Sequence, residues 1–130
     1  MKKADMNKDW QKRDGIIGVT EYSGGIARFE KLSLYQLEEL IDLGFASLEN
    51  RHNYAPAIGS ILEFMRSYPD FVAHGYAVSI DRDDYRVSLE GVKLSRKPTT
   101  KEFKAFINTF KGADECTGTV SNEGLWCWYD

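Results

Sequence analysis

Residues 71–94 read FVAHGYAVSIDRDDYRVSLEGVKL, and this stretch decides the class of fold. Before the acidic cluster, alternate residues fall on two faces: Val72, His74, Tyr76, Val78 and Ile80 on one, Phe71, Ala73, Gly75, Ala77 and Ser79 on the other. The cluster at 81–84 suits a turn, because aspartate bonds its own backbone there. Period-two alternation on both sides of a turn predicts an antiparallel hairpin with strands at 71–81 and 85–94.

Three amphipathic helices are predicted around this hairpin, because apolar side chains recur at three- and four-residue steps in three segments. Capping boxes mark the start of the first and third helices, Ser33 with Gln36 and Thr99 with Glu102. The second helix begins near Pro56, whose missing N–H is not needed in a first helical turn. Two predicted helices therefore precede the hairpin in the sequence, and the third follows it.

Two further hairpins complete the predicted order β-β-α-α-β-β-α-β-β. One lies in residues 16–30 around a Ser23-Gly24-Gly25 turn, and the other ends the chain with a turn at Ser121–Gly124. Strands that come in adjacent pairs predict an antiparallel sheet with the helices packed on one face, an α+β fold. We expect residues 1–14 to be a flexible or short helical segment and 15–130 a single domain.

Composition narrows the class of protein. The chain has 130 residues, a net charge of −3 and 13 % aromatic residues. Such a chain can bury a core, and its charge argues against a general nucleic-acid binder, so nucleic acid is an unlikely partner. No apolar run approaches the roughly 18 residues of a membrane span, and the polar start does not resemble a secretory signal. We therefore expect a cytoplasmic protein with no membrane partner and no cofactor.

The two cysteines are predicted to be free thiols. Cys116 and Cys127 are too far apart in sequence for a typical metal-binding thiol pair, so no metal site is expected. A terminal hairpin centred near residues 122–123 would set Cys127 opposite Gly118 and Cys116 opposite Tyr129. This register does not pair the two thiols directly, although a slipped register would allow a disulfide.

An enzyme remains an alternative interpretation of the central hairpin. A cleft near His74 and Tyr76 would place the imidazole close to the turn acids Asp81, Asp83 and Asp84, as a general base requires. However, no nucleophile motif accompanies His74, and a strand histidine with a satisfied hydrogen bond is the favoured interpretation. No catalytic residue is assigned from the sequence.

A basic cluster gives a third interpretation. Residues 93–104 hold five basic side chains against one acidic one; the basic residues are Lys93, Arg96, Lys97, Lys101 and Lys104. Such a cluster can contact phosphate or an acidic partner, or it can be an ordinary solvated surface.

The chain ends in an aromatic strand. Alternation from Leu125 puts Trp126 and Trp128 on one face and Cys127 and Tyr129 on the other. If the strand is central, both faces belong to the core; if it is an edge, the indoles reach solvent, where tryptophan and tyrosine anchor protein interfaces. We therefore predict a non-enzymatic protein-interaction or regulatory module that uses Trp126, Trp128 and Tyr129 with the third helix. Its partner would be another protein or, through an edge strand, a second copy.

Overall fold

The computed structural model describes residues 6–117 and 124–130. The helices in this part of the chain are α1 (Trp10–Ile17), α2 (Leu34–Asp42), α3 (Ile58–Ser67) and α4 (Thr100–Thr109). The strands are β1 (Ile26–Leu32), β2 (Val72–Val78), β3 (Val87–Leu94), β4 (Glu115–Thr117) and β5 (Leu125–Trp128). Among these residues no helix is both long enough and apolar enough to cross a membrane.

The strands form one antiparallel sheet in the order β1-β2-β3-β5-β4, which confirms the predicted α+β class. From β1 onward the elements follow the predicted order. The strand β5 lies between β3 and β4 and is therefore an internal strand, although it is the last one in the sequence.

Helices α2, α3 and α4 bury their apolar sides against one face of the sheet. Both predicted capping boxes are present: Ser33 is the N-cap of α2, and Thr99 is the N-cap of α4. The apolar residues of the helices and of this sheet face form one core cluster, which includes Leu37, Ile61, Phe106, Ala73 and Cys127. The opposite sheet face lies outside this cluster and carries polar and aromatic side chains.

The predicted strand before the Ser23-Gly24-Gly25 turn is wrong. Residues 10–17 form helix α1, and a single bridge between Ser23 and Ile26 is what remains of the hairpin. Asp9 caps the helix by accepting a hydrogen bond from the backbone N–H of Lys12, and Gly18 ends it in the left-handed conformation at φ 86°. The helix runs across the boundary predicted between residues 14 and 15.

The predicted register of the terminal hairpin is also wrong. Cys116 pairs directly with Cys127, and Glu115 pairs with Trp128. The observed register differs from the predicted one by two residues, a shift that leaves every side chain on its predicted face. Burial therefore selects the face but not the register, which depends on the turn. Residues 118–123, including Gly118 and most of the predicted Ser121–Gly124 turn, lie outside the described part of the chain.

Candidate functional site

The sheet face opposite the helices, which we call the open face, contains a cleft of about 600 Å³. The polar and aromatic side chains that line it come from all five strands: Arg28, Glu30, His74, Glu90, Lys93, Glu115, Trp126 and Trp128. Clefts of this volume are typical of sites for small ligands. The open face is therefore the candidate functional surface of the sheet.

Trp126 and Trp128 are half-buried neighbours on the open face, while Leu125 and Cys127 of the same strand are buried in the core. The predicted alternation is thus confirmed. The two indoles are accessible because helices cover the other face of the sheet, not because β5 is an edge. Tyr129 differs from them: it is buried, and its hydroxyl donates a hydrogen bond to the Lys111 carbonyl at 2.8 Å.

His74 packs against this aromatic pair. Its ring stacks on Trp126 with 5.8 Å between centroids and 16° between planes, and its Nε2 lies 2.7 Å from the Cys127 carbonyl oxygen. Burial lowers the pKa of the His74 imidazole, so the ring is neutral at pH 7 and Nε2–H donates to that carbonyl. The residue is therefore a satisfied strand histidine, as one of the two sequence interpretations expected.

A β-bulge shapes the centre of the open face. The pairing of β2 with β3 shifts so that His74 faces Gly91 and Gly75 faces Leu89, which leaves Glu90 as the extra residue. Gly91 is required for space, because a Cβ there would lie 2.8 Å from His74 Nε2 and would overlap the Cys127 carbonyl oxygen. The missing side chain lets the histidine ring cross β3.

Glu90 is a buried carboxylate that no sequence pattern singled out. Its side chain is only 5 % exposed, and it accepts a hydrogen bond from the Arg28 guanidinium at 2.7 Å. The indole N–H of Trp128 points at the same carboxylate, 3.4 Å from Oε2. An isolated glycine within a strand pattern is a signal of a bulge, so the Glu90-Gly91 pair was the feature that could have located this site.

A chain of polar contacts joins the loop before α3 to the open face. Arg86 donates to the hydroxyl of Tyr76 at 3.1 Å, and this hydroxyl lies 3.3 Å from His52 Nδ1. The Tyr76 hydroxyl and Nδ1 can form this hydrogen bond in either direction, depending on the tautomer of the ring. The buried Nε2 of His52 has no hydrogen-bond partner among the described residues and lies 3.8 Å from Glu90 Oε2.

The predicted enzyme site is not assembled as one cleft. His74 lines the cleft on the open face. The described residues that line this cleft do not include Tyr76, Asp81, Asp83 or Asp84. The hydrogen bond from Arg86 lowers the pKa of Asp84, which is also paired with Arg82, so this acid is committed to local ion pairs. The described residues also contain no cluster of side chains suited to a metal ion.

The predicted basic cluster is divided between two places. Lys93 lies on the open face and lines the cleft, whereas Lys97 is exposed before α4 and Lys101 and Lys104 are exposed on that helix. Arg96 is held between two carboxylates, 2.7 Å from Glu102 and 2.7 Å from Asp70. The five residues therefore do not present one continuous basic surface.

Replacing Glu102 with glutamine is expected to change how stability depends on pH. The hydrogen bonds from Arg96 lower the pKa of Glu102 from 4.5 to about 2, so the charged form contributes stability above pH 4.5 that is lost as the pH falls towards 2. We expect Glu102→Gln to be less stable than the wild type at neutral pH and the difference to vanish near pH 2. Glutamine keeps the capping-box hydrogen bonds.

Urea unfolding at a series of pH values measures this difference. Glu39→Gln, at an exposed position on α2, is the control and should follow the wild type throughout. A difference between Glu102→Gln and the wild type that stays constant from neutral pH down to about pH 2 would contradict the assignment.

Comparison with known proteins assigns no family to this site: no family model matches the chain, and neither a curated protein nor a solved structure is significantly similar to it.

Proposed function

We propose that this protein is a non-enzymatic binding module whose open face engages a partner protein. The observation that carries the proposal is the pair of half-buried indoles, Trp126 and Trp128, side by side in the cleft. Large amphipathic rings fixed by a rigid sheet lose little entropy on binding, and tryptophan dominates the energetics of many interfaces. Internal strand β5 holds both rings in place through its neighbours β3 and β4.

The size of the cleft favours a protruding segment of the partner over a second copy of this chain. A specific interface between two folded domains buries about 800 Å² on each partner, which requires broad and complementary surfaces. Two concave open faces placed together would enclose a void at their centre. A peptide segment or loop that carries one large side chain fits a cleft of about 600 Å³ directly.

The charges of the cleft favour a basic side chain on that segment. Arg28 is paired with Glu90, which leaves Glu30 and Glu115 against Lys93 among the lining residues. The faces of indole rings attract cations, and a guanidinium stacks on them well. The neighbouring Tyr76 already has the Arg28 and Arg86 guanidinium carbons at 5.7 Å from its ring centroid. We therefore infer that a lysine or arginine of the partner lies against Trp126 and Trp128.

Selection from a library of random linear peptides on the immobilised protein tests this proposal. We expect the enriched peptides to share a basic residue and to bind more weakly as salt is added, because two carboxylates face the bound cation. Trp126→Ala and Trp128→Ala should each reduce affinity for these peptides about 10- to 30-fold, the range for anchor residues. Titration of each peptide by fluorescence polarisation measures the effect.

The chain offers a matched control in Trp10, which is 41 % exposed on α1 and away from the cleft. Trp10→Ala should bind the selected peptides like the wild type, and thermal melts establish that all three variants are folded. If peptides bind Trp126→Ala and Trp128→Ala as tightly as the wild type, the open face is not the binding surface. If no peptide is enriched, the proposed recognition of a segment is wrong.

A further inference from the structure

Two cysteines meet across the last pair of strands. Cys116 of β4 and Cys127 of β5 are direct register partners, and both are free thiols in the structure. Directly opposed residues of an antiparallel pair have their Cβ atoms on the same side of the sheet, about 4.5–5.5 Å apart. Disulfides need Cα atoms about 4.4–6.8 Å apart and Cβ atoms close to 4 Å, so a small adjustment brings the two sulfur atoms into bonding distance.

We propose that Cys116 and Cys127 form a reversible intramolecular disulfide by exchange with a low-molecular-weight disulfide of the glutathione class. This inference does not rest on the proposed binding function. It concerns the face of the sheet opposite the cleft, since Cys127 belongs to the core cluster. The two thiols are close enough that Cys116 adds to burial in raising the pKa of the Cys127 thiol.

Because the two thiols differ in exposure, we expect Cys116 to react before Cys127. Cys116 is exposed at the edge of the sheet, whereas Cys127 is buried and its pKa is raised by burial to about 12. The Cys116 thiolate therefore attacks one sulfur of glutathione disulfide, which forms a mixed disulfide and releases one glutathione thiolate. Cys127 then gives its proton to that thiolate and attacks the Cys116 sulfur, which releases the second glutathione.

The electrons and protons of this exchange balance. Two protein thiols lose two electrons and two protons, and glutathione disulfide gains them to become two glutathione thiols. Burial also raises the pKa of Cys116, so the thiolate is scarce at neutral pH and the exchange should accelerate from about pH 7 to about pH 9. The bond would tie the short edge strand β4, which carries the cleft residue Glu115, to its neighbour.

Incubation of the full chain with defined ratios of reduced to oxidised glutathione tests the proposal. After alkylation, intact mass should show that the wild type loses both of its thiols together without gaining glutathione, and that reduced glutathione restores them. Cys127→Ala has no resolving thiol and should accumulate an adduct of one glutathione on Cys116. Cys116→Ser retains only the buried thiol and should react much more slowly than either.

Two results would show that Cys116 and Cys127 do not form an intramolecular disulfide. A wild-type chain that stops at the mixed disulfide would show that Cys127 cannot reach Cys116, and covalent dimers at low protein concentration would show that the bond forms between chains. Either result overturns the proposal. Because Cys116 is exposed, Cys116→Ser is expected to fold normally, so its slow reaction remains a usable comparison even if Cys127→Ala is unstable. Peptide binding by the open face is a separate measurement that these results do not alter.

Discussion

Replacing Arg13 with alanine is expected to lower the free energy of unfolding by about 3–5 kcal/mol, the usual effect of breaking a buried ion pair from one side. Arg13 is completely buried beside Asp14, with 3.0 Å between Nε and the carboxylate oxygen. Its other nitrogens donate to the Val78 carbonyl at 2.8 Å and to the Tyr22 hydroxyl at 2.6 Å. One side chain thus joins α1 to the end of β2.

The alanine variant removes a partner from several groups at once. Asp14 would keep a buried charge with no cation beside it, and the Val78 carbonyl would lose its side-chain donor. The guanidinium also lies 4.4 Å from the centroid of the Tyr85 ring, so its removal opens space in a closely packed region. The uncompensated carboxylate is the largest of these effects.

Urea unfolding of Arg13→Ala, Asp14→Asn and the double variant separates the ion pair from simple loss of packing. Asp14→Asn removes the charge that Arg13 balances, so the double variant should be more stable than the sum of the single effects predicts, by about 1–3 kcal/mol. Lys12→Ala, at the exposed neighbouring position of α1, should change stability by less than about 0.5 kcal/mol. Additive effects in the double variant would show that the two side chains are not energetically coupled.

The same region shows where sequence reasoning failed. Residues 1–14 are polar, and a charged segment with few apolar residues is expected at the surface. Arg13 and Asp14 are buried because they satisfy each other and because Arg13 donates to the buried Val78 carbonyl at the end of β2. A pairing between residues distant in sequence leaves no local pattern, so neither the burial nor the position of α1 could be predicted.

The open face was predicted in part. Strand alternation correctly put Trp126 and Trp128 on one face, because period-two geometry is local. From the sequence, exposure of the indoles requires an edge strand, but the structure shows an internal strand with one uncovered face. Glu90 and His52 were missed, since one depends on a bulge and the other on a loop that reaches across the sheet. Topology rather than residue type brings these groups together.

Replacing Gly91 with alanine is expected to lower the free energy of unfolding by about 3 kcal/mol, at the upper end of the effect of overpacking. The new Cβ would overlap the backbone carbonyl oxygen of Cys127 and would lie 2.8 Å from His74 Nε2. The imidazole can rotate away, but the carbonyl belongs to β5 and moves only if β3 and β5 separate. Such separation would displace Trp126 and Trp128, so we also expect weaker binding of the selected peptides.

Two further variants identify the carbonyl as the obstacle. Gly15→Ala, in α1 with no heavy atom within 4 Å of the new Cβ, should instead stabilise the protein by about 0.5–1 kcal/mol, because alanine favours a helix. His74→Ala combined with Gly91→Ala removes the contact with the ring and leaves the contact with the carbonyl. If the double variant is as stable as His74→Ala alone, the ring was the obstacle and β3 and β5 need not separate. We expect it to remain as unstable as Gly91→Ala, since only glycine lets the two strands approach this closely across the bulge.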